Sequence, residues 1–508
     1  MNRSIESFNL VDEQWIPVIA HEGNKRYISL KEIFLKGREF SDLVVLPHER
    51  VSLMRFLICV TQASLNGPRD YEKWEEAPSN ISHAVEEYLD EWYESFDLFH
   101  KEKPFLQISE LKAVNKNTTP VSKLALNLAN GENSALFDHN AMNDSRVRSF
   151  ESLPLNILSY QNFCLGGTES SAQWKEKKSD RSGSDGPCSG SSMLHTFIRC
   201  NNIFDSLYMN LCTKEDIKVR ISWGKPVWEL MPTSYEDTMS VKNATETYLG
   251  RLVPLTRCIK LLNTKRMVLG TGFKYTAFPS ISQEPSATVI KKNDSERMLL
   301  GAKKEKAIWR QLSAIMVMKA EHENGPITLN NASEDENIDI HVAALIRTPG
   351  KQIKEDITES VFNIPANMRT ENGYAVYNNE VKFSEVKARK LASAIETWRK
   401  EIDPDWLNRV KNSRDKSKLL EQLRSKATSH FWTSVEKKLP LLMRLIDSLG
   451  NAEKVEEARI NWRKMIHRTA REAYELACGS KTPRQMRAFA LGLKHLDYWK
   501  EEKQEEAK

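Results

Sequence analysis

The densest cluster of reactive side chains in this 508-residue chain is the run SALFDHNAMND, residues 134–144. Asp138, His139 and Asp144 are residue types that can hold a divalent metal and turn water against a phosphodiester. Two other readings stand beside that one. Phe137, Asp138, His139, Asn140 and Asn143 could form a loop that meets RNA by stacking and hydrogen bonding, or the acids and asparagines could simply cap a helix. A metal-dependent nuclease would call for further acids or histidines at motif spacing, and none stands out. Cysteine offers no alternative chemistry. The seven fall at 59, 164, 188, 200, 212, 258 and 478, with no C-x-x-C pair, and no H-E-x-x-H occurs. No zinc or other cofactor is therefore expected, and an odd, unpatterned set suits reduced thiols in a cytoplasm.

The elements that must position these residues divide into two textures. Length alone calls for two or three domains. At 40% hydrophobic and 28% charged residues the composition is globular. No apolar run reaches membrane-spanning length, and MNRSIESFNL lacks the apolar core of a signal peptide. The net charge of +5 hides an asymmetry: from Val381 onward 29 Lys and Arg face 19 Asp and Glu, a net of +10, whereas the first 380 residues carry 45 against 50, a net of −5. Such a basic tail is either a footprint for a polyanion or a solvated surface.

The fold expected is α+β, a large mixed α/β domain over 1–375 followed by a basic four-helix bundle over 376–508. FNLVDEQWIPVIAHEGNKRYISLKEIF reads as strand, turn at His21–Asn24, strand, and a helix opened by Ser29. HERVSLMRFLICVTQASL follows with Val51, Leu53, Met54, Leu57 and Val60 at helical spacing. ISHAVEEYLDEWYESF is amphipathic and acidic, and Pro104 bars any helix beyond it. Helices are predicted over 383–401, 416–448, 451–478 and 483–503, with a kink at Pro440. Core stripes run through Leu419, Leu423, Phe431, Val435, Leu439 and Leu442, and through Trp462, Met465, Ile466, Ala473 and Leu476. Residues 166–192, GGTESSAQWKEKKSDRSGSDGPCSGSS, are rich in Gly and Ser and read as a mobile loop. Its Lys175, Lys177 and Lys178 could meet nucleic acid.

Several stretches in order carry a resemblance. FNLVDEQWIPV at 8–18, FDLFHKEKPFLQ at 96–107, ALFDHN at 135–140 and LHTFIRCNNIFDSLYMNLC at 194–212 lead the series. KPVWE at 225–229, TYLGRLVPLTRCIKLL at 247–262, AIWRQL at 307–312 and SHFWTSVEKKLPLL in the tail complete it. Together they resemble the CasA family, the large subunit of the type I-E CRISPR surveillance complex, Cascade. The resemblance implies a subunit that catalyses nothing. It would grip the 5′ handle of the crRNA, read the motif flanking a double-stranded DNA target (the PAM), open that duplex for guide pairing, and help recruit a helicase–nuclease. Base pairing would read sequence while protein reads only the flanking motif and duplex shape.

Carried onto this chain, the resemblance gives LFDHNAMND, residues 136–144, the RNA-handle role. Gly166 and Gly167 become a PAM-reading loop whose backbone can approach a minor groove closely, or else the start of a flexible linker. Lys274 in GTGFKYTAF becomes a second reader, or an ordinary strand-end lysine. LIRTPGKQIKEDI becomes a wedge hairpin with Gly350, Lys351 and Gln352 near its tip, unless Gln352 is only an exposed turn residue. Readout from the degenerate minor groove should tolerate several PAMs. Lys175, Lys177, Lys178, Arg347, Lys354, Arg414, Lys416, Lys418, Arg463 and Lys464 are the expected DNA-backbone contacts, with Arg409, Lys411, Arg424, Lys426, Arg468 and Arg471 adding to the bundle's basic face. The other Cascade subunits (backbone, small and crRNA-end) are the expected protein partners. Some relatives hold a cysteine cluster before the WRQL helix, but Cys258 stands alone there.

Overall fold

The computed structural model describes residues 7–116, 118–127, 148–218, 221–275, 284–291, 293, 296–316, 325–348 and 354–496. It divides into two compact units, one of Met1–Ile308, Val317–Ser333 and Ile338–Asn363, the other of Trp309–Met316, Glu334–Asn337 and Ile364–Lys508. The helical unit thus begins before residue 376 and takes in two short outlying pieces. No described helix is long and apolar enough to cross a membrane, and all seven cysteines are free thiols, six of them buried.

The first unit mixes helices with small antiparallel sheets. Strand Ile16–Ala20 lies between Lys25–Ile28 and Phe40–Leu43. Ser29 opens helix Leu30–Lys36 with a full capping box: its hydroxyl accepts the Glu32 N–H at 3.2 Å, and the Glu32 carboxylate accepts the Ser29 N–H at 3.1 Å. The helix Pro47–Ser64 is buried on nearly every side rather than along one stripe. Its enclosed polar side chains consequently need partners within the protein. Arg55 donates to Asn162 Oδ1 (2.9 Å) and the Arg251 carbonyl (2.7 Å) and pairs with Glu284. Gln62 donates to the Cys212 carbonyl (2.6 Å) and accepts from the Tyr248 hydroxyl (2.6 Å). Helix Leu153–Phe163, with all its residues buried, packs on it.

Strand His195–Arg199 runs antiparallel to Ile338–Arg347, with His195 opposite Ala343 and Arg199 opposite Asp339, and Lys354–Ile364 pairs on the far side. Ile338–Arg347 and Lys354–Ile364 are the two strands of the expected hairpin. Arg257–Leu261 and Arg266–Thr271 form a second antiparallel pair, extended by Thr119–Pro120.

The segment 166–192 is not the mobile loop that its composition suggests. Gly167–Thr168 pairs with Ser182–Gly183, and Ala172–Trp174 pairs with both Lys112–Ala113 and Lys177–Lys178. Ala172, Trp174, Cys188 and Ser189 are buried, which supplies the apolar area that Gly and Ser lack. Gly186 lies so close to the Asn162 carbonyl that a Cβ there would collide with backbone.

In the second unit, Thr370 caps a helix running Glu371–Ile402, which starts twelve residues earlier than predicted. The predicted 416–448 is two helices, Ser413–Glu436 and Leu439–Asp447; Pro440 sits in the first turn of the second, where its missing N–H costs nothing. Ala452–Ala477 and Pro483–Leu493 complete the bundle. Residues of the predicted 483–503 helix beyond 496 lie outside the described set. Phe431, Val435, Leu442, Trp462, Ile466 and Ala473 form the core as expected, whereas Leu476 is 46% exposed. Gly492 packs closely against two neighbouring helices: a Cβ there would fall inside 3 Å of the Tyr474 hydroxyl and the Ala394 carbonyl oxygen. Gly492→Ala should therefore cost about 1–3 kcal/mol through overpacking, read as a lower urea midpoint for the helical unit. An unchanged midpoint would show that the helices part without strain.

Candidate nucleic-acid interface

The glycine loop is set by what precedes it. Helix Leu153–Phe163 ends at Cys164, and the chain turns through Gly166 and Gly167, the latter at φ +146°, a conformation that favours glycine. One buried cation clamps both stems of this loop. Arg257, its side chain wholly enclosed, donates to the carbonyls of Leu165 (2.9 Å) and Ser184 (2.8 Å) and to Glu169 Oε1 (3.2 Å). Burial disfavours its charge, but Cys164, Tyr160 and Glu169 outweigh this and leave its pKa raised. Glu169 also receives Lys123 at 2.6 Å.

Asp185 makes the next connection. Its Oδ1 accepts the Gly166 N–H at 2.7 Å, and its Oδ2 pairs with the Arg347 guanidinium at the end of the first hairpin strand. The Arg347 N–H donates to Ser192 Oγ at 3.0 Å. Lys354, at the start of the second hairpin strand, donates to the Leu126 carbonyl. Burial holds its ammonium below the usual lysine pKa. Arg148 donates to the Thr264 carbonyl (3.2 Å) and to Asn156 Oδ1 (3.1 Å) on the helix leading to the glycine loop.

The nominated residues therefore separate. Gly166, Gly167, Arg347 and Lys354 come together, with Leu126 at the entry to 128–147. Phe137, Asp138, His139, Asn140, Asn143 and Asp144, and likewise Gly350, Lys351 and Gln352, lie outside the described residues. Lys274 is exposed between buried Phe273 and Tyr275, beyond a strand whose Thr271 hydroxyl donates to the Asp180 carbonyl (2.9 Å). Lys175 occupies a tight turn at φ +52°, Lys178 is exposed, and Lys177 pairs with Glu236 at 3.2 Å on the surface. Such a surface pair contributes at most about 1 kcal/mol and leaves Lys177 able to change partner.

In the bundle, Arg414, Lys418 and Lys464 are exposed and Lys416 half-buried. Arg463 does not belong to that basic face. Its guanidinium lies 2.9 Å from the buried Glu380 carboxylate and over the Phe383 ring, because an acid that deep needs a cation. Arg424 is similarly committed to Glu396, and Arg468 and Arg471 pair with Glu472 and Glu475 along their own helix.

Among the described residues one buried cluster could in principle hold a metal: donor atoms of Cys188, His195 and Glu284 lie within 4.8 Å of one another. Those donors are already engaged. Glu284 pairs with Arg55, the His195 ring meets Ser286 Oγ (2.9 Å) and the Cys188 carbonyl (3.4 Å), and Cys188 Sγ meets Asn162 Oδ1 (3.4 Å). Burial also pushes the Cys188 thiol up to about 11, away from the thiolate a metal needs. The cluster is a polar core of the fold.

Arg257, Glu169, Lys123 and Asp185 were not singled out by the sequence. Although Arg257 falls within the 247–262 stretch and Glu169 and Asp185 within 166–192, their roles exist only through partners distant in sequence.

Comparison with known proteins follows the same outline. The model of a family described as CRISPR-associated protein Cse1 matches residues 9–473. CRISPR-associated protein CasA/Cse1 of Thermus thermophilus is 26% identical over 523 residues, covering 96% of each chain. The crystal structure of Thermus thermophilus CasA is similar to this fold with a TM-score of 0.76 at 20% identity, over 97% of this chain and 98% of that one. A chain of a CRISPR RNA-guided surveillance complex has a TM-score of 0.70 at 16% identity, over 96% and 99%.

Proposed function

This chain belongs to the CRISPR-associated protein Cse1 family, and from that premise we propose that it is the non-catalytic large subunit of a cytoplasmic, RNA-guided surveillance complex. In this reading residues 136–144 contact the crRNA handle. The loop at Gly166–Gly167, with Lys274, meets the flanking motif of double-stranded DNA, and Gln352 wedges the first base pair beyond it. The bundle's exposed lysines and Arg414 lie along nucleic acid and neighbouring subunits, and a separate helicase–nuclease does the cutting. The observation that carries this reading is the convergence of three otherwise distant segments: the glycine loop, both stems of the hairpin, and the chain entering 128–147.

The test uses the assembled complex and a fluorescent base beside the flanking motif. Gln352→Ala is expected to slow strand opening about tenfold or more, equivalent to about 1.4 kcal/mol of the few needed to unstack a step, while initial duplex binding changes far less. Equal losses in both assays would remove the wedge role. The rival reading, a nuclease built on Asp138, His139 and Asp144, is checked by incubating the pure chain with Mg²⁺ or Mn²⁺ and labelled DNA and RNA. Cleavage that vanishes in His139→Ala would replace the non-catalytic reading.

A further inference from the structure

We propose that Asp185 is a positioning residue that locks the glycine loop to the base of the hairpin, so that seating of a flanking duplex and insertion of the hairpin occur as one event. The inference rests on the reading above and adds to it the coupling between its two DNA-facing parts. The geometry is specific. Asp185 divides its two oxygens between the Gly166 N–H (2.7 Å) and the Arg347 guanidinium, joining residues on opposite sides of the site. Arg347 is held a second time by the same stretch, through its own N–H to Ser192 Oγ (3.0 Å).

The return strand is fixed independently, by Lys354 on the Leu126 carbonyl. The hairpin is therefore anchored on each of its two strands. Displacement of the loop at Gly166 can reach the hairpin through this carboxylate. An aspartate is the residue type that can do this, because both oxygens accept and only an anion holds a guanidinium strongly. The side chain is about one-third exposed, so the link is not sealed in the core and can respond to what binds beside it.

Asparagine separates the two bonds. In Asp185→Asn the Oδ1 can still accept from Gly166, but the amide NH2 faces a guanidinium that also only donates. Arg347→Gln in that background supplies an acceptor and can restore a neutral link. In the assembled complex, Asp185→Asn should slow flanking-motif-dependent strand opening about tenfold, the effect of losing one charge-assisted bond. Initial binding of the marked duplex should stay within about twofold, since the loop's own bond survives. Asp185→Asn with Arg347→Gln should recover part of the rate lost in Asp185→Asn, and Arg347→Gln alone, whose amide N–H can still donate to the Asp185 carboxylate, should open about as fast as the double variant. Thermal unfolding of each free variant establishes that it folds.

A wild-type complex that opens duplexes regardless of the flanking motif would overturn the underlying reading. If the wild type depends on the motif yet Asp185→Asn opens at the wild-type rate, the lock itself is refuted. Equal loss of binding and opening, or no recovery in the double variant, would show that Asp185 merely shapes the loop.

Discussion

Arg257→Met is expected to destabilise the mixed α/β unit by about 3–5 kcal/mol, the usual cost of stripping one partner from a buried ion pair. The guanidinium has no exposure, and Glu169 beside it is nearly as enclosed. Removing it strands that carboxylate with Lys123 as its remaining cation and leaves the carbonyls of Leu165 and Ser184 without donors. Methionine fills most of the volume, so the loss measures electrostatics and hydrogen bonding more than cavity formation. The effect should appear as a large fall in the urea midpoint of that unit. Glu169→Gln in the same background should recover at least about 1 kcal/mol, because it neutralises the stranded charge. A midpoint within experimental error of wild type would mean that the loop stems are held by their short strands alone. Under the proposed PAM-reading role of the glycine loop, loss of flanking-motif dependence should accompany the loss of stability, since the clamp sets where Gly166 and Gly167 sit.

How far the sequence reached follows from the range of the interactions involved. Ser29 and Glu32 declare their helix within four residues, and the bundle stripes through Phe431, Val435, Trp462 and Ile466 repeat at helical spacing, so both were legible. The start at Glu371 was obscured because Asn372–Gly373 looks like a turn, although Thr370 caps the helix through the Gly373 N–H. The structure of 166–192 was harder still. Its order comes from Arg257 and Arg347, far away in sequence, and from Asn162, which the chain meets again only at Gly186 and Cys188, and composition is blind to such partners. Trp174 was the one local hint, being too large and apolar for a solvated linker. Charge counting failed at Arg463 for a related reason. It registers a cation but cannot see that Glu380, on another helix, has already claimed it. Family resemblance located Gly166, Gly167 and Arg347 separately, while the carboxylate joining them lay in the Gly- and Ser-rich run and in no family motif.

Acid should weaken this protein well before its surface carboxylates are fully protonated, and two buried histidines are the reason. His48 is enclosed against the edge of Phe163, its Nδ1 meets no hydrogen-bond partner among the described residues, and burial, assisted by Lys354, lowers its pKa to about 3. His195 is likewise lowered to about 3 by burial, with Arg55 contributing. In the unfolded chain both return to about 6.5. Between those values the unfolded state holds two more protons than the native state, so stability falls as pH falls, by about 1.4 kcal/mol per unit for each histidine. From pH 7 to pH 4.5 the pair should remove roughly 5 kcal/mol, a large share of a typical domain's stability. Urea unfolding at half-unit steps across that range would measure the slope. His48→Phe keeps the contact with Phe163 and cannot take up a proton; whatever it does to stability at neutral pH, it should lessen the slope by about one proton. A variant with the wild-type slope would mean that His48 is already charged in the native state, in which case water or an acid must reach a ring that the fold encloses.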